Sequence, residues 1–163
     1  MTDTQAFRTA MSKFATGVTV VTSTDREGHP HSMTANSFTS VCLDPPTVLV
    51  CVAHSTHTHD YVSDTGRFGI NILTEDQEDL GAYFAKRPED RSGDIQYNYD
   101  EGDGGVPVLV HSMVFFGCKV VDTHVYGDHT VYLGEVTEVR QKDEDSDAPL
   151  MFYRSRWYHP VRD

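Results

Sequence analysis

Apolar positions along the chain change their spacing several times, and each change marks an element. Phe7, Ala10, Met11 and Phe14 recur at helical spacing, which predicts a short amphipathic helix within residues 3–14, ended by Gly17. Val18 to Thr24 is rich in β-branched residues and predicts a strand. The turn residues Asp25-Arg26-Glu27-Gly28 follow, so 18–38 reads as a hairpin. Thr47 to Ala53 (T-V-L-V-C-V-A) is apolar at successive positions, the pattern of a strand covered on both faces. Arg67 to Leu73 predicts another strand. Glu75 to Phe84 predicts an amphipathic helix carrying Leu80, Tyr83 and Phe84, with acids in the first turn, where the helix dipole favours them. Residues 87–106 are polar and hold four glycines, predicting a long loop. Val108–Val110, Met113–Thr123 and Thr130–Arg140 predict three more strands, Lys142–Asp147 a charged turn, and Pro149–Tyr158 a last short strand. Many short strands and few short helices point to a mainly β chain whose sheet closes, or nearly closes, into a barrel. No repeat or linker divides the 163 residues, so 1–163 is expected to form one domain.

Composition narrows the function classes. Hydrophobic residues at 38% and aromatics at 10% support a folded core rather than disorder. No apolar run approaches the length of a membrane span, and the N-terminus M-T-D-T-Q-A-F-R lacks a signal-peptide core. A soluble, cytoplasmic protein with no membrane partner is therefore expected. Cys42, Cys51 and Cys118 are scattered and form no C-x-x-C pair, which argues against a disulfide framework or a structural zinc site. A formal charge of −12 disfavours nucleic acid as a partner. Such acidity fits either a salt-rich cytoplasm or an ordinary acidic soluble protein. It also means that an anionic ligand needs local cations, which suffice because charge is screened over about 8 Å at physiological salt.

Three segments carry candidate chemistry. Between Gly28 and Pro46, Thr34, Asn36, Ser37, Thr39 and Ser40 crowd neutral donors and acceptors into seven residues, a lining suited to a heteroaromatic ring with several carbonyl and imino groups. Asp44-Pro45-Pro46 then stops the segment. In Ala53 to Tyr61 (A-H-S-T-H-T-H-D-Y), Ser55, Thr56 and Thr58 can cap a helical turn whose free N–H groups, with His54 nearby, suit a phosphate. His54, His57 and His59 do not converge on one ion at helical spacing, and no H-E-x-x-H is present, so no metal is expected. Tyr126-Gly127-Asp128-His129 forms a tight turn between two strands, where a histidine either meets a substrate or stands idle. No G-x-S-x-G, G-x-G-x-x-G or P-loop pattern occurs. Local chemistry alone describes a β-barrel with a polar pocket and a phosphate-sized anion site.

Taken in order, F-A-T-G-V-T-V-V-T at 14–22, the whole of 28–46, R-F-G-I-N-I-L at 67–73, G-D-H at 127–129 with Gly134-Glu135-Val136, and P-L-M-F-Y at 149–153 resemble the flavin reductase-like family. That family holds the short-chain NAD(P)H:flavin reductases that serve two-component flavin monooxygenases. The resemblance implies a split β-barrel binding FMN or FAD at the interface of a homodimer, NADH or NADPH as co-substrate, and a transient monooxygenase partner. It places Thr34, Ala35, Asn36 and Ser37 against the isoalloxazine ring and the turn Ala53, His54, Ser55 and Thr58 at the phosphate. Phe84 and Arg91 fall at further flavin contacts, and Gly127, Asp128 and His129 at the nicotinamide nucleotide. The chain departs from the family pattern in carrying His54 where lysine is frequent, Ser32 where glycine is frequent, and Arg91-Ser92 in place of the usual D-R-F. No catalytic side chain is expected, because the flavin carries the hydride chemistry and the protein positions it. An FMN-holding electron-transfer or flavin-storage protein with little NAD(P)H activity is the alternative.

Overall fold

A computed structural model of the chain describes residues 3–142 and 148–160. Its elements in chain order are helix α1 (Thr4–Met11), strands β1 (Thr16–Gly17), β2 (Thr19–Thr24), β3 (Pro30–Ala35), β4 (Phe38–Leu43) and β5 (Pro46–Ala53), helix α2 (His57–Thr65), strand β6 (Arg67–Ile72) and helix α3 (Glu78–Phe84). Strands β7 (Tyr99–Glu101), β8 (Pro107–Leu109), β9 (Val114–Tyr126), β10 (His129–Gln141), β11 (Met151–Tyr153) and β12 (Arg156–Tyr158) follow. The predicted mainly β class holds. No helix among the described residues is long and apolar enough to cross a membrane.

Seven strands form one antiparallel sheet in the order β3-β2-β6-β9-β10-β5-β4. Its two edge strands, β3 and β4, are consecutive in the chain and joined only by Asn36 and Ser37. Two residues span no more than about 11 Å, whereas a flat seven-stranded sheet puts its edges about 28 Å apart. The sheet therefore curls until its edges approach one another at Asn36–Ser37. Ala35 O accepts the Thr19 hydroxyl (2.6 Å) and Ser37 O accepts the Cys51 N–H (3.2 Å), so the link bridges β2 and β5 directly.

Strand β2 is buried on both faces, as its β-branched run requires. Val21 packs with Val50, Val52, Phe68, Ile70 and Tyr132, while Val20 packs with Leu73, Leu80, Phe84, Leu109 and Leu150 under α3. Fully burying one such side chain is worth about 1.5–3 kcal/mol. Buried Asn71 ties the second layer to the sheet: its amide donates to Val20 O (3.0 Å), and its oxygen accepts the Leu109 N–H (2.8 Å).

Several expectations are corrected. The first helix ends at Met11 rather than near Gly17, which lies in β1, and its apolar side chains Phe7 and Met11 face solvent. The hydroxyl-rich stretch is two strands on opposite sheet edges rather than one hairpin arm. Residues 87–106 are not a continuous loop: Tyr99–Glu101 pairs with β8, drawn in by packing of Tyr97 and Tyr99 (5.6 Å). Residues 149–158 form a hairpin, β11–β12, turning at Arg154 and Ser155 with φ of 49° and 59°. The predicted charged turn at 142–147 lies, beyond Lys142, outside the described residues.

Candidate functional site

Two cavities meet at Ala85, the residue that closes α3. The smaller, about 180 Å³, is walled by Val18, Thr34, Ala35, Asn36, Phe152 and Trp157. Phe152 and Trp157 meet edge to face at 5.0 Å, giving it an apolar floor. Thr34 donates its hydroxyl to Gly81 O and Ser37 donates to Cys51 O, both at 2.7 Å. These bonds fix the 34–37 segment between α3 and β5. They spend the hydroxyl protons but leave the lone pairs, and Asn36 is exposed with its amide open to a ligand.

The second cavity, about 320 Å³, is bounded by His31 and Met33 of β3, the turn at Ser55–Thr58, and a wall from Phe84 to Glu89 with Arg91. Lys86, Arg87 and Arg91 place three of the chain's 13 lysines and arginines on this one cavity. Such clustering answers the long-range repulsion of a −12 protein toward an anion. Arg91 lies over the Phe84 ring at 5.1 Å and donates to Ser32 O at 2.7 Å. Across the cavity, Thr56 caps α2, its hydroxyl oxygen accepting the His59 N–H (3.3 Å), so the first N–H groups of the helix open toward the turn.

Ser55 and Thr58 have separate roles. Ser55 is an exposed part of the rim, whereas Thr58 is wholly buried and its Oγ1 lies 3.1 Å from His31 Nε2. Burial first, then the charges of Arg91 and His57, pull the His31 pKa down to about 4. A neutral ring therefore stands beside the cations. The three histidines of the 53–61 segment divide as well. His57 stacks with Tyr61 near His31, whereas His54 and His59 both turn to the Thr130 hydroxyl (3.0 and 3.1 Å). The His54 side chain is thus engaged with Thr130 and is not part of the cavity wall.

Gly127, Asp128 and His129 lie at the tip of the β9–β10 hairpin, where Gly127 supplies the φ of +60° that the turn needs. The His54 N–H donates to Asp128 O (2.9 Å) and His129 pairs with Ala53 in the β5–β10 ladder. The hairpin tip is thereby docked on the turn that follows β5. Asp128 holds His129 Nδ1 at 2.7 Å, and this bond keeps its carboxyl below the ordinary value.

A larger concavity, about 960 Å³, lies elsewhere, beside the β2–β3 turn. It presents Asp25, Asp64, Asp100 and Glu101, and its Arg26 is spent on Asp64 at 2.9 Å, so its charge has the wrong sign for a phosphate. The nearby group Asp25, Glu27 and His29 closes that turn, with Asp25 Oδ1 accepting the N–H groups of Glu27 and His29.

Residues 11–161 match the flavin reductase like domain. The chain belongs to the flavin reductase-like family. It is 44% identical over 135 residues to a probable flavin reductase of Rhizobium meliloti, a match covering 83% of this chain but 43% of that longer protein. It is 36% identical over 156 residues to the NADH-dependent flavin reductase StyB of Pseudomonas fluorescens, covering 96% of this chain and 89% of StyB. Among solved structures, the styrene monooxygenase flavin reductase of Pseudomonas putida S12 aligns with a TM-score of 0.84 at 35% identity, covering 96% of this chain and 98% of that one.

The residues of this flavin reductase-like chain fit a flavin nucleotide. An apolar slot with neutral polar rims shares Ala85 with a neighbouring cavity rimmed by cations and a helix N-terminus. Thr34, Ala35 and Asn36 line the first cavity and Ser55, Thr58, Phe84 and Arg91 the second, while Ser37 and Ala53 serve as supports through their backbone and hydroxyl bonds. Sequence reasoning missed His31, Trp157 and the pair Lys86-Arg87. That pair carried a signal, being adjacent cations in an acidic, lysine-poor chain.

Proposed function

We propose that the protein is an NAD(P)H-dependent flavin reductase. It reduces FMN or FAD with NADH or NADPH and passes reduced flavin to a flavin-dependent monooxygenase component. The observation that carries this reading is the junction of three parts: the two cavities that meet at Ala85, and the 127–129 tip held against the phosphate-type turn by the His54–Asp128 backbone bond. StyB, named as NADH-dependent, and the styrene monooxygenase reductase support the co-substrate and the partner class.

In this reading the flavin, when bound, supplies the hydride-accepting chemistry. The chain binds and orients. Thr34, Ala35, Asn36 and Ser37 hold the ring edge through lone pairs, the Asn36 amide and backbone groups. Ser55, the α2 N-terminus and Arg91 hold the phosphate through charge-assisted hydrogen bonds. His129, fixed by Asp128, receives the nicotinamide nucleotide. No side chain of the site needs to gain or lose a proton. Titrating the protein with FMN and FAD and measuring NADH and NADPH oxidation with each tests this function; tight flavin retention without nicotinamide oxidation would contradict it.

The working form is a homodimer of split barrels in the cytoplasm, one domain per chain. Large apolar side chains at the surface support a second copy: Leu43 is 91% exposed, Tyr126 88% and Phe14 69%, with Phe7, Met11 and Val125 also uncovered. Light scattering at micromolar concentration should give twice the chain mass, and a fully active monomer would overturn this point.

A further inference from the structure

The segment from Ala85 to Tyr99, the first residue of β7, forms one wall of the cationic cavity, and two of its side chains, Arg91 and Tyr99, reach the barrel at the same residue, Ser32 of β3. Arg91 Nη2 donates to Ser32 O at 2.7 Å, and the Tyr99 hydroxyl shares a hydrogen bond with Ser32 Oγ, also at 2.7 Å. Ser32 is itself 1% exposed and paired with Thr22 in the β2–β3 ladder, so the sheet fixes its position. Arg91 is otherwise held by a bond from Nε to Lys86 O (3.2 Å) and by the faces of Phe84 and Tyr83 at 5.1 and 5.6 Å. Two N–H groups of the guanidinium are thereby committed to carbonyls, and the fork's other donors remain for an anion. Between the two tethers the chain is mostly exposed and passes through Gly93 at φ +109°. Its far end is held by Ile95, packed on the core beside Phe84, by Tyr97, whose ring meets Phe84 at 5.0 Å, and by Asn98, whose O accepts the Val110 N–H. Residues 92–94 next to Arg91 are exposed and depend most on the tethers. Burial pushes the Tyr99 phenol up to about 12, so it stays a neutral partner for Ser32 throughout the physiological range.

We propose that the Ser32–Tyr99 hydrogen bond is a clasp that holds the 86–98 segment closed and aims Arg91 at the flavin phosphate, which makes Ser32 and Tyr99 positioning residues for that phosphate. The proposal rests on the flavin reading above. Without the clasp, Arg91 keeps its charge and its bonds to Ser32 O and Lys86 O, but the exposed stretch beside it loses one of its anchors, so the fork is aimed less well and its bond to the phosphate weakens. A ring system without a phosphate is indifferent to this change.

The test compares dissociation constants for FMN and for riboflavin, which lacks the phosphate, in wild type, Ser32→Ala, Tyr99→Phe, Arg91→Ala and the double variant Arg91→Ala/Tyr99→Phe. Tyr99→Phe keeps the ring that packs on Tyr97, so it preserves the fold even where Ser32→Ala disturbs it. Loss of one net hydrogen bond corresponds to about a two- to tenfold change in an equilibrium constant. Each clasp variant should weaken FMN by about that factor and leave riboflavin unchanged, and Tyr99→Phe should add nothing once Arg91 is alanine. Equal weakening of FMN and riboflavin, unchanged FMN affinity, or a full additional loss in the Arg91→Ala background would overturn the clasp while leaving the flavin reading intact. A wild type that binds neither flavin would overturn both.

Discussion

Acid should cost the ligand-free chain stability through one residue of the cavity wall, His31. In the folded protein its pKa is pulled from 6.5 down to about 4 by burial, then by Arg91 and His57. The unfolded chain takes up the proton near 6.5 and the folded chain refuses it until about 4, so between those values the unfolded state binds more protons. Stability on this account is full above the unfolded value and falls as pH drops through that window. One pKa unit is worth about 1.4 kcal/mol, so the whole interval amounts to roughly 3 kcal/mol. Solvent at the cavity mouth reduces that to about 1–2 kcal/mol. For a chain of this size each kcal/mol moves Tm by about 2–4 °C, which gives a shift of about 2–8 °C. Asp25, Asp64 and Asp128 are also held low by their partners and weaken the fold in acid, so wild type alone does not isolate the effect. The assay is thermal unfolding of wild type and His31→Gln at about pH 7 and about pH 4.5, glutamine keeping an amide for the Thr58 hydroxyl without a titrating ring. Wild type should lose about 2–8 °C more than the variant between the two pH values. An equal loss in both would refute the assignment of a suppressed proton to His31.

Three further outcomes follow from the site and its supports. Ser55→Ala removes an exposed hydroxyl from the anion cavity and should weaken FMN by at least about tenfold, from a charge-assisted bond of about 1.5–3 kcal/mol, with Tm unchanged; flavin titration alongside unfolding checks both. His129→Ala should raise the NAD(P)H Michaelis constant and lower kcat/KM by about the same 1.5–3 kcal/mol while the flavin dissociation constant stays put, as steady-state kinetics will show. Gly134→Ala would place a Cβ 2.5 Å from Phe68 Cζ and 2.9 Å from Cys118 Cβ in the barrel core. It should cost about 1–3 kcal/mol in denaturant unfolding.

The strands that depend on their own residues were legible. Val18–Thr24, Thr47–Ala53 and Arg67–Leu73 lie within a residue of the observed β2, β5 and β6, because β-branched and apolar runs suit a sheet buried on two faces. What depends on distant partners was not. The short β7 forms because Tyr99 meets Leu109 and packs on Tyr97, contacts with no local period. The β11–β12 turn hides in Arg154-Ser155, residues that do not advertise a positive φ. In the site, the hydroxyl cluster stood out by local chemistry, whereas the 127–129 turn read locally as a turn whose histidine could stand idle; the resemblance to flavin reductases gave it a role and added Phe84 and Arg91. Ser55 and Thr58 look alike in sequence, and only the seating of α2 makes one a rim group and the other a buried partner of His31. Ser32 and Tyr99 are separated by 67 positions, and no spacing rule joins them.

Anaerobic mixing of the purified chain, loaded with FMN or with FAD, against NADH and NADPH, following loss of the oxidised flavin absorption, reads hydride transfer itself. Stoichiometric bleaching by at least one nicotinamide should occur, faster than with the same flavin and nucleotide without protein, and slowed in His129→Ala. Flavin that stays bound and oxidised with either nucleotide would contradict the reductase reading.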